Sequence, residues 1–283
     1  MSDDSARKLS EARAVYALER QRFDSVLSFA IRTSQGIRGA TPANDAANVA
    51  IILFDKAVMH ANSLGKVVPV VPGPISQDHD LASAAVLVRA IAETFLAYWY
   101  ACREPKTPED FEFRDALMSY HRLKRLAVTW PLWNWSEGEA KFNELLKEAR
   151  GRLESDPIFR RQRPAAQSAQ LDGKDFANRS LLDIAKSADI SEWFWTCAYK
   201  YLSQYNHATP LSVTELSRFD PAKASGPQLL ALVLQFASAF LARFTFDIHN
   251  NYFRGIKTPI MGVNEVALLG TLMLLLSSKP PRP

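Results

Sequence analysis

The sequence predicts an all-α protein, a multi-helix bundle of about eight or nine helices around a buried central helix. Three observations carry this reading. Of the 283 residues, 47% are hydrophobic, enough to fill a sizeable core. Glycine, which two-residue hairpins need, is scarce at 11 residues, while long stretches repeat apolar residues at helical spacing. The segment from Leu81 to Cys102 carries only two charges, Arg89 and Glu93, four residues apart on one helical face, and is otherwise apolar on all sides. Such a helix belongs inside the bundle.

The elements follow in order. A first helix from about Ser5 to Gln35 places Leu9, Tyr16, Phe23 and Ala30 at heptad spacing, with Ala12 and Val26 filling the seam. Arg13, Glu19, Arg20 and Arg22 mark its wet face. This seam admits either a homodimer contact or docking on the chain's own bundle. A second helix from about Asp45 to Ser63 presents Val49, Ile52, Leu53, Ala57 and Met59, and Gly65 caps it. The prolines of VVPVVPGPIS impose an extended connector, after which Asp78 or Asp80 caps the Arg89 helix. Thr107 and Pro108, followed by Glu109 and Asp110, start a fourth helix that runs to about Trp130, where Trp130, Trp133 and Trp135 form an aromatic corner. A polar helix spans about Glu137 to Glu154, and DPIFRRQRPAAQSAQLDG reads as the least ordered stretch, a candidate flap over the centre. Helices near Leu181 to Ala188, from about Ser191 to Pro210, from about Pro227 to Tyr252 and from about Asn264 to Ser277 complete the chain. Residues 1–40 thus form a long helix packed on the bundle, and residues 41–283 a single helical domain.

Net charge is +4 and by itself says little about nucleic acid. Two basic clusters stand out: His121, Arg122, Lys124 and Arg125 before Trp130, and Arg160, Arg161 and Arg163 between two prolines. The second is the candidate RNA contact. Cys102 and Cys197 lack metal-type spacing and read as buried free thiols in a reducing cytoplasm. The N-terminus shows no secretory apolar region, and the apolar runs Leu229 to Ala242 and Val266 to Leu276 fall short of the roughly 20 residues of a membrane span. No membrane span, cofactor or metal is expected.

The chemistry-bearing residues fall on two helices. Arg89 and Glu93 form an ion pair that either fixes the central helix or presents a cation to an anion. Lys200, Ser203 and His207 share one face of the helix that ends at Pro210. A histidine titrating near 6.5 can act as general base near neutrality. Arg89, Glu93, Tyr201, Ser203 and His207 are therefore expected to converge on one polar site.

The segments AAVLVRAIAETFLAYWYA and AYKYLSQYNHATP resemble an uncharacterised bacterial all-helical family of unknown function, in which an Arg-x-x-x-Glu helix precedes a Tyr-x-x-Leu-Ser-x-x-x-His helix. The similarity runs from about Asp45 to Pro210. That family is similar in turn to HEPN domains, helical bundles of bacterial toxins and phage-defence systems, many of which are metal-independent ribonucleases. HEPN nucleases carry an arginine roughly four to six residues before the histidine. This chain has no arginine there, and Lys200 lies one step too far, so Arg89 would have to supply the charge. The function expected is a non-catalytic helical interaction or sensing module. The alternative is a HEPN-like metal-independent ribonuclease of the phage-defence or toxin type, with His207 as base, Arg89 on the phosphate, and Arg160, Arg161 and Arg163 attracting RNA.

Overall fold

Asp80 accepts the Ser83 amide on its Oδ1 at 2.8 Å, Thr107 accepts the Asp110 amide at 3.2 Å, and Ser191 accepts the Phe194 amide at 3.0 Å, so three helices start where a capping side chain stands ready. The computed structural model describes residues 3–38, 42, 44–70, 80–129, 136–174, 176–205, 210, 213–214, 219–220, 222–252 and 261–279. Among the described residues the fold is all-helical, with eleven α-helices and one π-turn where about eight or nine helices were expected. The excess comes from the stretch read as least ordered, which forms two short helices, Pro157–Arg160 and Pro164–Leu171. The chain makes two compact units, unit 1 of Met1–Tyr98 with Ala185–Pro283 and unit 2 of Trp99–Ile184.

Unit 1 is built from α1 (Asp3–Ile37), α2 (Asp45–Val67), α3 (Leu81–Tyr98), α9 (Glu192–Gln204), α10 (Ser225–Tyr252) and α11 (Val263–Leu276). The heptad seam of α1 is inside, with Ala12, Tyr16, Phe23, Val26 and Ala30 all buried. Its charges do not all face water: Glu19 and Arg20 are buried as well. Arg20 lies over the end of α2, donating to the carbonyls of Gly65 at 3.1 Å and of Val68, and pairing with Asp24 at 2.9 Å. Tyr16 donates to the carbonyl of Pro69. Two side chains of α1 thus satisfy carbonyls that the end of α2 leaves without helical partners. Gly65 is consequently not a cap. It lies in the last turn of α2, where a Cβ would sit 3.5 Å from Leu27 and 3.6 Å from Phe23, and Val68 takes the capping position.

The buried stripe of α2 is Ala47, Ala50, Phe54, Ala57, Val58, Ala61 and Leu64, while Ile52 and Met59, expected to pack, are exposed. The small residues allow the close approach of α3, which packs against α2, α10 and α9. The position at the centre belongs to α10 rather than α3. It packs on α1, α2, α3 and α11. Both α10 and Leu81–Arg103 are long and apolar enough to cross a membrane, but 72% of the α10 window and 56% of the other are buried within the protein. The apolar run Leu229 to Ala242 is the middle of this longer helix. Phe244 is its anchor, stacked on Tyr98 at 4.5 Å and meeting Phe54 and Phe95 edge-on.

Unit 2 holds the π-turn Trp99–Arg103, α4 (Pro108–Thr129), α5 (Ser136–Ser155), α6 (Pro157–Arg160), α7 (Pro164–Leu171) and the start of α8 (Leu181–Ser187). Its core joins Phe113, Leu117 and Tyr120 to Leu153 and Phe159, with Ile158 and Leu171 against it. The candidate flap is thereby packed in place. Asp156 caps α6 through the Ile158 amide at 2.7 Å, Gln167 ties α7 to the Phe159 carbonyl at 2.9 Å, and the Tyr120 hydroxyl donates to the Leu171 carbonyl at 2.8 Å. Of the two thiols, Cys102 is half-buried, its pKa pushed up to about 12 by burial, and Cys197 is exposed, not buried as expected.

Candidate functional site

The expected ion pair is present on α3. Arg89 Nε donates to Glu93 Oε1 at 2.7 Å, with 20% of the arginine side chain and 36% of the carboxylate side chain exposed. The pair is therefore at the edge of the core. A third residue closes it. The hydroxyl of Tyr199 on α9 accepts from Arg89 Nη2 at 3.0 Å and donates to Glu93 Oε1 at 2.9 Å, while the guanidinium stands 5.0 Å from the centre of the Tyr199 ring. Behind that ring, Trp195 stacks on it at 4.6 Å. Burial alone would lower the Arg89 pKa, but Glu93 and Tyr199 reverse this and raise it. The Tyr199 hydroxyl is also shifted up, by burial first and then by Glu93. Both groups keep their protons at neutral pH.

The expected residues divide around this triangle. Tyr201 is on another face of α9: its hydroxyl meets that of Tyr205 at 3.1 Å, and the rings cross edge to face at 5.4 Å. Two residues along a helix is more than half a turn, which takes Tyr201 away from α3 while Tyr199 faces it. Ser203 follows Tyr199 by one turn, and its hydroxyl is buried without a hydrogen-bond partner. Lys200 is exposed. His207 is outside the described residues, as are the tryptophan corner and His79. Arg160, Arg161 and Arg163 are exposed at the α6–α7 junction, where Arg160 Nε donates to the Glu154 carbonyl at 2.9 Å. Among the described residues no three His, Cys, Asp or Glu side chains form a group able to hold a metal ion.

A second polar constellation, which the sequence reading missed, lies inside unit 2. The π-turn is closed by the Glu104 amide donating to the Trp99 carbonyl at 2.9 Å. Single π-turns within helices recur at functional positions because the extra residue re-aims its neighbours. Here Glu104 receives Arg114 at 2.6 Å and also Arg179, both on the same carboxylate oxygen. The two guanidiniums stand 4.5 Å and 6.0 Å from the centre of the Tyr100 ring. The Tyr100 hydroxyl donates to Asn178 Oδ1 at 3.1 Å, and burial pushes its pKa up to about 12. Arg114 and Arg179 carry no spacing signal relative to Glu104. Tyr199 opens the Tyr-x-x-Leu-Ser-x-x-x-His pattern, although Tyr201 was the tyrosine expected in the site.

The model of a protein family of unknown function, DUF5677, matches residues 73–223, just over half of the chain. The chain belongs to the DUF5677 family. The DUF5677 match begins later than the expected similarity from about Asp45. It contains α3, the whole of unit 2 and α9, and so both the Arg89 triangle and the Glu104 constellation, whereas α1, α2, α10 and α11 lie outside it. Searches of curated proteins and of solved structures found no match.

Proposed function

We propose that this DUF5677 protein is a non-catalytic helical interaction module, in which the Arg89 triangle is a clamp that sets α9 against α3. One observation carries the reading: the Arg89 guanidinium is already occupied, by Glu93 through Nε, by the Tyr199 hydroxyl through Nη2 and by the Tyr199 ring across its face. An arginine serving a phosphate would have to give up contacts that join two helices. The partner surface is supplied by the exposed helices, with a second copy of the chain as the simplest occupant.

The HEPN-like ribonuclease remains the reading to beat, and one experiment separates the two. Full-length protein is incubated with single-stranded RNA in EDTA, and its overexpression is scored for growth. Intact RNA and normal growth are expected from a well-folded preparation. Metal-independent cleavage of RNA but not DNA, lost in both His207→Ala and Arg89→Met, would replace the interaction module with a nuclease. Binding that steepens as salt falls and weakens when Arg160, Arg161 and Arg163 are neutralised would add RNA as a partner.

A further inference from the structure

We infer that α11 is the face through which two copies of this chain pair, antiparallel, about a two-fold axis at Gly270. This deepens the interaction-module reading, on which it rests, by naming the face and its occupant.

The sequence of α11, VNEVALLGTLMLLL, holds a single charge and more apolar residues than its buried side can take. Leu269, Leu272 and Leu276 are buried against the rest of unit 1. Val263 is 85% exposed and Leu274 70%, and Val266, Ala267 and Gly270 between them are exposed too. Val263, Ala267, Gly270, Leu274 and Ser277 follow in alternating steps of four and three, the spacing of a coiled-coil seam, and none is charged. The heptad seam of α1, which admitted a homodimer contact in the sequence, is buried inside unit 1. The exposed seam is on α11 instead.

The order of side chains along this seam selects the occupant. Val263 and Leu274 lie on either side of Gly270, so a second α11 laid antiparallel brings Leu274 of each copy over Val266 and Ala267 of the other, and Val263 over Ser277. Large faces small on both sides of the axis. The same patch then serves both copies, as a two-fold dimer requires. At the axis a Cβ on Gly270 would meet nothing within 4 Å, which leaves room for a close approach.

Charge agrees with this pairing. Glu265 points away from the seam, accepting the Gly262 amide at 3.0 Å and pairing with Arg32 of α1. The groove of about 630 Å³ beside it, which includes Ala17, Gln21, Ser25 and Ser28 of α1, has its charges matched as Arg20 with Asp24 and Arg32 with Glu265. Two copies therefore oppose no like charges. A bilayer is the poorer occupant, because helices that lie in a membrane surface carry Lys and Arg on their polar face and α11 has neither. A 14-residue helix is about 21 Å long and roughly 10–12 Å wide, so α11 alone covers less than the roughly 800 Å² per partner of a standard interface, and the α1 groove supplies the remainder. A dimer with Kd on the order of 10 µM is expected.

The test is sedimentation velocity on the full chain from about 1 to 200 µM, a range that brackets this Kd. Wild type should pass from monomer to dimer across it. Leu274→Glu and Gly270→Lys, which set like charges near one another in the pair, should each raise Kd at least tenfold, whereas Met59→Glu on the outer face of α2 should leave it unchanged. Both seam positions are exposed in one copy, so wild-type melting of the dilute variants separates lost pairing from lost folding. In a Cys197→Ser background, oxidation of an equal mixture of Val263→Cys and Ser277→Cys chains should give the mixed disulfide dimer in preference to either self-linked one. Preferential self-linking, a monomer at the highest concentration, or a dimer that both seam variants leave intact would overturn the proposal. So would a monomer that binds phosphatidylcholine–phosphatidylserine vesicles through Leu274. A monomer that leaves RNA intact would sink this inference alone, while RNA cleavage by a dimer would sink the interaction module and keep the pairing.

Discussion

Arg89 on α3 and Tyr199 on α9, 110 residues apart in the chain, meet through a 3.0 Å hydrogen bond and a guanidinium set over the ring. With Glu93 they form a closed triangle of three hydrogen bonds, in which Glu93 Oε1 accepts from both partners. Phe194 and Trp195 of α9 also pack on Phe240 of α10, so the triangle shares the seating of α9 with an aromatic contact.

A double-mutant cycle measures that share. Arg89→Met should cost about 1–2 kcal/mol, less than the roughly 3–5 kcal/mol of a fully buried charge pair, because Glu93 is partly wet and keeps the Tyr199 hydroxyl. Tyr199→Phe should cost about 1 kcal/mol, and the double variant should fall short of the sum by about 0.5–1 kcal/mol. Tyr201→Phe, off this face, should show no coupling to Arg89. Urea titrations decide it, and strict additivity of Arg89 and Tyr199 would mean that the triangle is incidental.

Unit 2 depends more steeply on Glu104. Removing its charge strands Arg114, whose side chain is 15% exposed, together with Arg179. Glu104→Gln should therefore destabilise unit 2 by about 3 kcal/mol, and Glu104→Gln with Arg179→Met should recover part of the loss. Hydrogen exchange across residues 99–184 is the measurement, and unchanged protection there would show that the carboxylate is dispensable.

Much of this was readable in advance, for identifiable reasons. Capping chemistry is local, so Asp80, Thr107 and Ser191 marked helix starts that the structure reproduces. The i,i+4 spacing of Arg89 and Glu93 is local too. What failed was partnership at a distance. Nothing near Arg20 in sequence announces the α2 carbonyls it serves, so a buried charge read as a wet one. The DPIFRRQRPAAQSAQLDG stretch read as the least ordered because its order comes from Gln167 tying α7 to the Phe159 carbonyl and from Phe159 packing with residues of α4 and α5, not from periodicity. Tyr199 rather than Tyr201 meets Arg89, and the helical phase that decides this is set by the neighbouring helix, not by the spacing along α9.

Two positions of left-handed backbone give opposite expectations. Gly173 has φ +68°, and a Cβ there would stand 2.6 Å from Lys124 Cγ. Gly173→Ala should destabilise by more than about 1 kcal/mol, through strain and the displaced lysine stem. Asp189, at φ 59°, closes α8, with the Ile190 amide donating back to the Ala185 carbonyl at 3.0 Å. Glycine favours that conformation, so Asp189→Gly should be neutral or stabilise by a few tenths of a kcal/mol. Thermal melts of both variants test the pair, and the same sign of shift in both would contradict the backbone argument.

The last expectation concerns pH. His249, near the end of α10, faces the Phe29 ring at 5.9 Å, and burial lowers its pKa below 6.5. His60 on α2 shifts the same way, by burial first and then by Lys56. A histidine whose folded pKa is depressed binds protons more readily in the unfolded chain. Its contribution is therefore fully favourable above about pH 6.5 and is lost as pH falls from there through the folded pKa. The denaturation midpoint should hold from about pH 8 to about pH 7 and drop as pH falls below about 6.5, ahead of most carboxylate titration. His249→Gln should make that drop shallower, and adding His60→Gln shallower still. Equal drops in the wild type and in both variants would show that neither imidazole is held neutral by the fold, and that the packing of Phe29 against α10 places no electrostatic demand on His249.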